Sequence, residues 1–167
     1  YIEFSARVRN MLALGASRKK LADKASWLAE EVRKATAMIH AREQELLFRM
    51  SRAAEFRDPE TGAHIQRMAH YSRLIAAHLG LSEADQELIL QAAPMHDIGK
   101  IGIPDDILLK PGALTPEELS IMRTHAQIGF DLLDGSESTI LQAAALIAVT
   151  HHEKFDGSGY PRGLRGE

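Results

Sequence analysis

The chain has 167 residues, 45% of them hydrophobic and 26% charged, which is enough for one globular domain with a real core plus an accessory element. Its net charge of −3 provides no global basic field, so DNA is not an expected partner. It has no cysteine, which excludes disulfides, thiolate zinc sites and a cysteine nucleophile.

No apolar run approaches the roughly 20 residues that a membrane helix needs, and no signal peptide is visible, so a cytoplasmic chain without a membrane partner is expected. The opening Tyr1-Ile2-Glu3-Phe4 reads as the middle of an element, as if cut from something longer. From about Ala6 to Phe56 there is no proline, and the only glycine is Gly15. Apolar residues recur at alternating spacings of three and four: Met11, Leu14, Leu21, Ala25, Leu28, Val32, Ala35, Ile39 and Leu46. That is a heptad seam, interrupted by Arg18 and Arg42 and flanked by charge. It predicts a long helix, either paired with a second chain as a coiled coil or folded back on its own domain.

Asp58-Pro59 predicts a capped helix start, with the helix running to about Leu79 and ending at Gly80. Ser82 with Asp85 starts the next helix, expected to end around His96. Asp97 to Ala113, with Gly99, Gly102, Pro104, Pro111 and Gly112, reads as a loop with at most a short helical turn. Thr115-Pro116-Glu117-Glu118 is a capping box opening a helix to about Leu133. Asp134-Gly135-Ser136 breaks the chain, and a last helix covers roughly 138–151. The tail from Phe155 to Gly166 carries Gly157, Gly159, Pro161 and Gly163 and is expected to be loop. With no alternating β-branched run, the predicted fold class is all-α: a helical bundle preceded by the long helix.

Eight histidines are many for this length, and their positions matter more than their number. On the helix from Pro59 the expected inward stripe is His64, Met68, Tyr71 and Ile75, with Glu60 one turn before His64 on the same face. Leu88, Ala92 and His96 share a face, and Asp97 follows directly. His125 falls on the stripe Ile121, Met122, Ile128 and Leu132. His151-His152 closes an apolar helix, where two consecutive rings can converge. Each alone reads equally as a hydrogen-bonded core histidine or a helix-end histidine. Together, five imidazoles from four helices would each need a buried partner unless they share metal. Imidazole and carboxylate ligands without thiolates suit iron, manganese or zinc in a hydrolytic site, where divalent cations supply hydroxide near neutral pH.

His96-Asp97-Ile98-Gly99-Lys100, followed by Ile101-Gly102-Ile103-Pro104, resembles the His-Asp core of the HD-GYP phosphodiesterases. The run His151-His152-Glu153-Lys154-Phe155-Asp156-Gly157-Ser158-Gly159-Tyr160-Pro161 resembles the element behind the second half of that family's name. Pro59 to His64 is similar to its upstream ligand segment, and the likeness covers about residues 51–167. The resemblance implies hydrolysis of cyclic di-GMP to pGpG or GMP, with water attacking phosphorus and the ribose 3′-oxygen leaving. It implies two or three divalent metal ions, iron or manganese, on His64, His96, Asp97, His125, His151 and His152, with Asp97 bridging. Glu60 would be a further ligand favouring the three-metal site, and Lys100 would stabilise charge on the scissile phosphate. Gly157, Gly159, Tyr160 and Pro161 are read as a shaped loop at the site's edge; in the family the same loop is also proposed as a contact for diguanylate cyclase (GGDEF) domains.

The family pattern continues with a helix bearing another aspartate ligand and basic residues. A chain ending at Glu167 is therefore expected to hold metal incompletely and to turn over poorly. Glu3 to Leu12 resembles the last helix of a response-regulator receiver domain. This divides the chain into a receiver-like end at 1–14, a signalling helix at 15–50 that forms a homodimer, and a catalytic domain at 51–167, with a sensor kinase upstream. The competing expectations are another HD-superfamily nucleotide phosphohydrolase or a non-catalytic dimeric relay.

Overall fold

The computed structural model describes residues 2–56 and 62–166. Among them it is all-α: no strand forms, and extended pairing is confined to one bridge between Asp156 and Arg165. The predicted start of the second helix at Asp58-Pro59, and Glu60 with it, lie outside the described residues.

Helix α1 spans Ile2–Glu55 without interruption. The chain divides into two compact units, one up to Glu43 and one from Gln44 onward. In the first, the heptad residues Met11, Leu14, Leu21, Leu28, Val32 and Ile39 are all exposed. Flanking pairs such as Arg7 with Glu3 and Arg33 with Glu30 support the helix locally at i,i+3 and i,i+4 spacing.

The second unit begins with the last turns of α1, whose Leu47 and Ala54 enter the core. Helices α2 (Gly62–His78), α3 (Glu83–Ala92), α4 (Asp105–Leu108), α5 (Pro116–Arg123), α6 (His125–Leu133) and α7 (Thr139–Thr150) follow. Ser82 caps α3 by accepting from the Asp85 N–H, and Thr115 with Glu118 forms the expected reciprocal capping box.

The structure departs from the sequence reading in three places. The helix from Ser82 stops as α-helix at Ala92 and tightens into a 3₁₀ turn at Ala93–Met95. Pro94 has no N–H to give and its ring crowds the carbonyl four residues back, so the chain rewinds just before His96. The helix from Thr115 does not run through to Leu133 but breaks at Thr124. There the Thr124 hydroxyl donates to the Ile121 carbonyl at 2.6 Å and the His125 Nδ1 donates to the Met122 carbonyl at 2.7 Å, so side chains compete for the carbonyls a continuous helix would use. The break re-aims the next helix. Its buried residues are His125, Ala126, Gly129 and Leu133, while Ile121 and Leu132 of the expected stripe are exposed.

On α2, too, the buried residues are Ile65, Ala69 and Ala76, whereas Tyr71 and Ile75 are exposed. Small alanines let α2 pack closely, and the larger Met68 and Ile75 instead line an apolar cavity of about 540 Å³.

The core comprises Ala92, Met95, Ile98, Leu133, Ala144, Ala145 and Ala148 with the two α1 residues. Its tightest crossing joins the 3₁₀ segment Ile98–Gly102 to α6 and α7. A Cβ on Gly99 would lie 1.9 Å from the His125 carbonyl oxygen and 2.4 Å from the Gly129 nitrogen, and one on Gly129 would lie 3.0 Å from the Ala148 Cβ. Backbone cannot retreat as a flexible side chain can, so Gly99→Ala must push the 3₁₀ segment off α6. Overpacking of this kind costs about 1–3 kcal/mol or more. Urea denaturation should show Gly99→Ala lowering the midpoint with an unchanged slope; an unchanged midpoint would mean that this crossing is not tight.

Candidate metal centre

The residues held together by that crossing carry the chemistry. Asp97 directly precedes the 3₁₀ segment, His125 opens α6, and His151 caps the C-terminus of α7 with His152 beyond it. One ligand atom from each of Asp97, His125, His151 and His152 lies within 4.8 Å of the others. The Nε2 atoms of His125 and His151 stand 3.2 and 3.3 Å from Asp97 Oδ1, and 3.2 Å from each other. His96 Nε2 is 3.1 Å, and the Lys100 ammonium 2.9 Å, from Asp97 Oδ2.

Three of the rings are oriented in the same way. His96 Nδ1 faces the Ala93 carbonyl at 3.1 Å, His125 Nδ1 the Met122 carbonyl at 2.7 Å, and His151 Nδ1 the Ala148 carbonyl at 2.8 Å. A carbonyl only accepts, so Nδ1 carries the proton in each ring and Nε2 presents a lone pair to the cluster. Asp97 Oδ1 is buried and has no hydrogen bond of acceptable geometry despite the two nearby nitrogens. An acceptor oxygen encircled by acceptor nitrogens is unfavourable unless a cation sits among them. The donor set therefore fits a divalent metal, and the carbonyls supply the outer-shell orientation that metal-bound histidines require.

Burial raises the Asp97 carboxyl, but the adjoining imidazoles of His125, His151 and His96 outweigh it and hold the group well below the usual range, so it is ionised. Burial, followed by the neighbouring His151 and His125, pushes His152 down to about 4, leaving a neutral imidazole near neutral pH.

His64 lies half-buried in the first turns of α2 and is not among the four converging residues. Gly157, Gly159, Tyr160 and Pro161 belong to a loop folded over His152. The Tyr160 ring stacks on the His152 ring, centroids 4.5 Å apart and planes 21° from parallel. Gly159 passes so close that a Cβ would sit 2.4 Å from the Lys154 nitrogen, and Gly157 takes a φ of 79° that disfavours side chains.

Two residues that the sequence reading passed over hold this loop. Glu153 accepts from the Arg162 N–H at 2.7 Å and the Leu164 N–H at 2.9 Å, tying the far end of the loop to the residue after His152. The Arg123 guanidinium lies over the Tyr160 ring, 5.0 Å from its centre. A glutamate directly after paired histidines was a visible signal. Arg123 gave none, because its partner is 37 residues away in sequence.

Over residues 19–167 the sequence matches the HD domain family. The chain belongs to that family. It is 46% identical over 165 residues to the cyclic di-GMP phosphodiesterase response regulator RpfG of Xanthomonas campestris, covering 99% of this chain and 44% of that protein. A cyclic di-GMP phosphodiesterase of Thermotoga maritima is 56% identical over 121 residues, 72% of this chain and 33% of that protein. The 3′3′-cGAMP-specific phosphodiesterase 2 of Vibrio cholerae is 46% identical over 132 residues, 78% of this chain and 25% of that protein. The chain thus spans less than half the length of these relatives. Asp97 lies at the centre of the cluster, and His96, adjacent in sequence, reaches it at Oδ2. No described helix is long and apolar enough to cross a membrane.

The depressed His152 has a consequence for stability. The unfolded imidazole titrates near 6.5 and the folded one near 4, so between those values the unfolded chain binds a proton that the folded protein does not. Stability therefore falls as pH is lowered through that window. Thermal unfolding of the metal-free protein should show Tm decreasing from pH 6.5 toward 4, and His152→Gln should flatten the decrease; an identical slope in the variant would assign it to other groups.

Proposed function

We propose that this chain carries a metal-dependent phosphodiesterase domain that hydrolyses cyclic di-GMP to pGpG or GMP, as the output of a two-component response regulator. The observation that carries the reading is the convergence of neutral Nε2 atoms on the ionised Asp97. Divalent cations held there would supply hydroxide near neutral pH and screen a phosphodiester's charge. The similarity to phosphodiesterases of cyclic di-GMP and 3′3′-cGAMP supports the substrate class.

Within this reading His64, His96, Asp97, His125, His151 and His152 would hold the cations, joined by Glu60 if a third is bound, with iron or manganese as the metal. Asp97 would be the residue shared between two ions, since its Oδ1 faces His125 and His151 while its Oδ2 faces His96. Lys100, beside Oδ2, stabilises charge on the phosphoryl oxygens. Water provides the new oxygen on phosphorus, the bond to the ribose 3′-oxygen breaks, and a proton passes to that leaving oxygen. The Gly157–Pro161 loop shapes the rim and offers a contact for a diguanylate cyclase domain.

Residues 1–14 are the end of a receiver domain addressed by a sensor kinase, 15–50 the signalling helix and 51–167 the catalytic domain, in a cytoplasmic protein. The exposed seam of α1 pairs with a second copy. Val32 and Ile39 occupy one core position of the heptad and Leu14, Leu21 and Leu28 the other, a distribution suited to two parallel strands.

The deciding experiment gives the manganese-loaded protein cyclic di-GMP, 3′3′-cGAMP and deoxynucleoside triphosphates separately. Cleavage of the cyclic dinucleotides is expected; cleavage of triphosphates alone would defeat the reading. Asp97→Ala should lose bound metal, measured by elemental analysis, together with activity, and activity that survives would overturn the ligand assignment. Lys100→Ala should retain metal but lose rate by roughly 10²–10³, the scale of one electrostatic stabiliser. Unchanged turnover would leave Lys100 as a structural partner of Asp97 only.

A further inference from the structure

The paired histidines differ in how they are held. His151 is oriented by the Ala148 carbonyl through its Nδ1. His152 is held by rings instead: that of His151 is tilted beside it with centroids 4.1 Å apart, and that of Tyr160 is stacked on it at 4.5 Å. Stacking fixes the plane of an imidazole but leaves it free to slide, so its precision depends on what holds the tyrosine. Tyr160 sits on a loop, and its own N–H donates to the His152 carbonyl at a long 3.2 Å. The loop is anchored beyond it by Glu153 and by Arg162, whose guanidinium lies 5.6 Å from the centre of the Phe130 ring on α6. The side chain of Tyr160 itself meets one cation from the scaffold, Arg123, on the last turn of α5.

We infer that Arg123 is a positioning residue: its guanidinium holds the Tyr160 ring on His152 and thereby fixes the direction in which His152 offers its nitrogen to the cluster. The inference rests on the metal-site reading above. Geometry and chemistry agree on it. A guanidinium over an aromatic face is attracted by the ring quadrupole and stacks as a plane, which suits arginine better than lysine. Arg123 also stands immediately before the Thr124 break and two residues before His125. The helix end that aims the His125 ring therefore also supplies the hold on His152, coupling two ligands from different helices through one turn of chain.

A positive charge near a cation site also repels metal, so the two effects oppose each other. Arg123 is exposed and stands on the far side of the Tyr160 ring from His152, and salt at physiological ionic strength weakens the field of an exposed charge. The positioning effect should therefore win. Its size should match an exposed cation–aromatic contact, about two- to five-fold in an equilibrium constant.

The test is a double-mutant cycle on the whole chain, read by Mn²⁺ dissociation constants from electron paramagnetic resonance at 0.15 M salt. Arg123→Leu should weaken Mn²⁺ about two- to five-fold, and Arg123→Lys should recover part of that. In a Tyr160→Leu background, Arg123→Leu should have no further effect, because the ring that transmits it is gone. An equal effect in both backgrounds, or tighter Mn²⁺ binding in Arg123→Leu, would show direct charge action and overturn the proposal. So would unchanged Mn²⁺ affinity with a raised KM, which would make Arg123 a substrate contact.

A second reading needs no metal. In the metal-free protein the His152 ring proton signals should be displaced by the Tyr160 ring current, and Arg123→Leu should move them toward their positions in Tyr160→Leu. Signals that stay in place would sink the positioning role even if metal binding and hydrolysis are as proposed. Failure of the unmodified chain to bind Mn²⁺, with the signals moving as expected, would sink the metal reading and leave the ring coupling standing.

Discussion

The site depends on one repeated constraint: an imidazole Nδ1 proton given to the carbonyl three residues earlier. His96, His125 and His151 all make this bond, to Ala93, Met122 and Ala148. A backbone acceptor at that spacing fixes both the ring plane and the tautomer, and leaves Nε2 as a lone pair pointing away from the helix. It arises where the chain has tightened or is ending: after the 3₁₀ turn of Ala93–Met95, at the Thr124 break and at the C-terminus of α7. Helix irregularity and ligand geometry are thus the same feature. Metal-free, three such lone pairs around a carboxylate oppose one another, so the fold accepts local electrostatic frustration that a cation would relieve.

Close packing of small residues is what brings those irregular ends together. Gly99, Gly129 and Ala148 allow the 3₁₀ segment, α6 and α7 to approach at backbone distance, and each of these elements carries or adjoins one member of the cluster. A larger residue at any of the three positions would separate the ligands before it cost much burial. The alanine-rich face of α7 is therefore tuned for approach more than for hydrophobic gain, which a Leu or Ile face would supply better.

Most of this was legible in the sequence, for identifiable reasons. The capping box at Thr115, the serine cap at Ser82 and the long proline-free heptad are local signals, and the elements they imply are present. The breaks at Pro94 and Thr124 were harder. Pro94 has a local cause that was overlooked. At Thr124 the cause is side chains competing for carbonyls, which hydrophobic periodicity does not register. The misplaced inward stripes on α2 and α6 follow from the same kind of error. On α2 the expected stripe carries Met68, Tyr71 and Ile75, whereas the buried residues are Ile65, Ala69 and Ala76, and Met68 and Ile75 line a cavity. The histidine positions were read from helix ends and faces, but their shared tautomer needed coordinates. The roles of Arg123 and Glu153 needed the loop's path, because neither spacing nor composition brings residue 123 to residue 160.

The surroundings of the cluster are asymmetric, and the asymmetry bears on what can approach it. On one side His96 and His151 border the 540 Å³ cavity, whose other lining residues are almost wholly apolar: Met68, Ile75, Leu79, Leu81, Ile89 and Ile147. The polar groups lie elsewhere, with Lys100 at Asp97 Oδ2 and Tyr160 with Arg123 at His152. An anion entering over the apolar wall would lose hydration with only the Ser72 hydroxyl among the lining side chains of α2 to replace it, at a cost of several kcal/mol. One entering past Lys100 and Tyr160 meets an ammonium and a phenol whose pKa burial raises above its ordinary value. The low-dielectric wall also strengthens every charge interaction within the cluster without offering a competing ligand. The apolar lining is thus confined to the cavity beside His96 and His151, and Lys100, Tyr160 and Arg123 lie outside it.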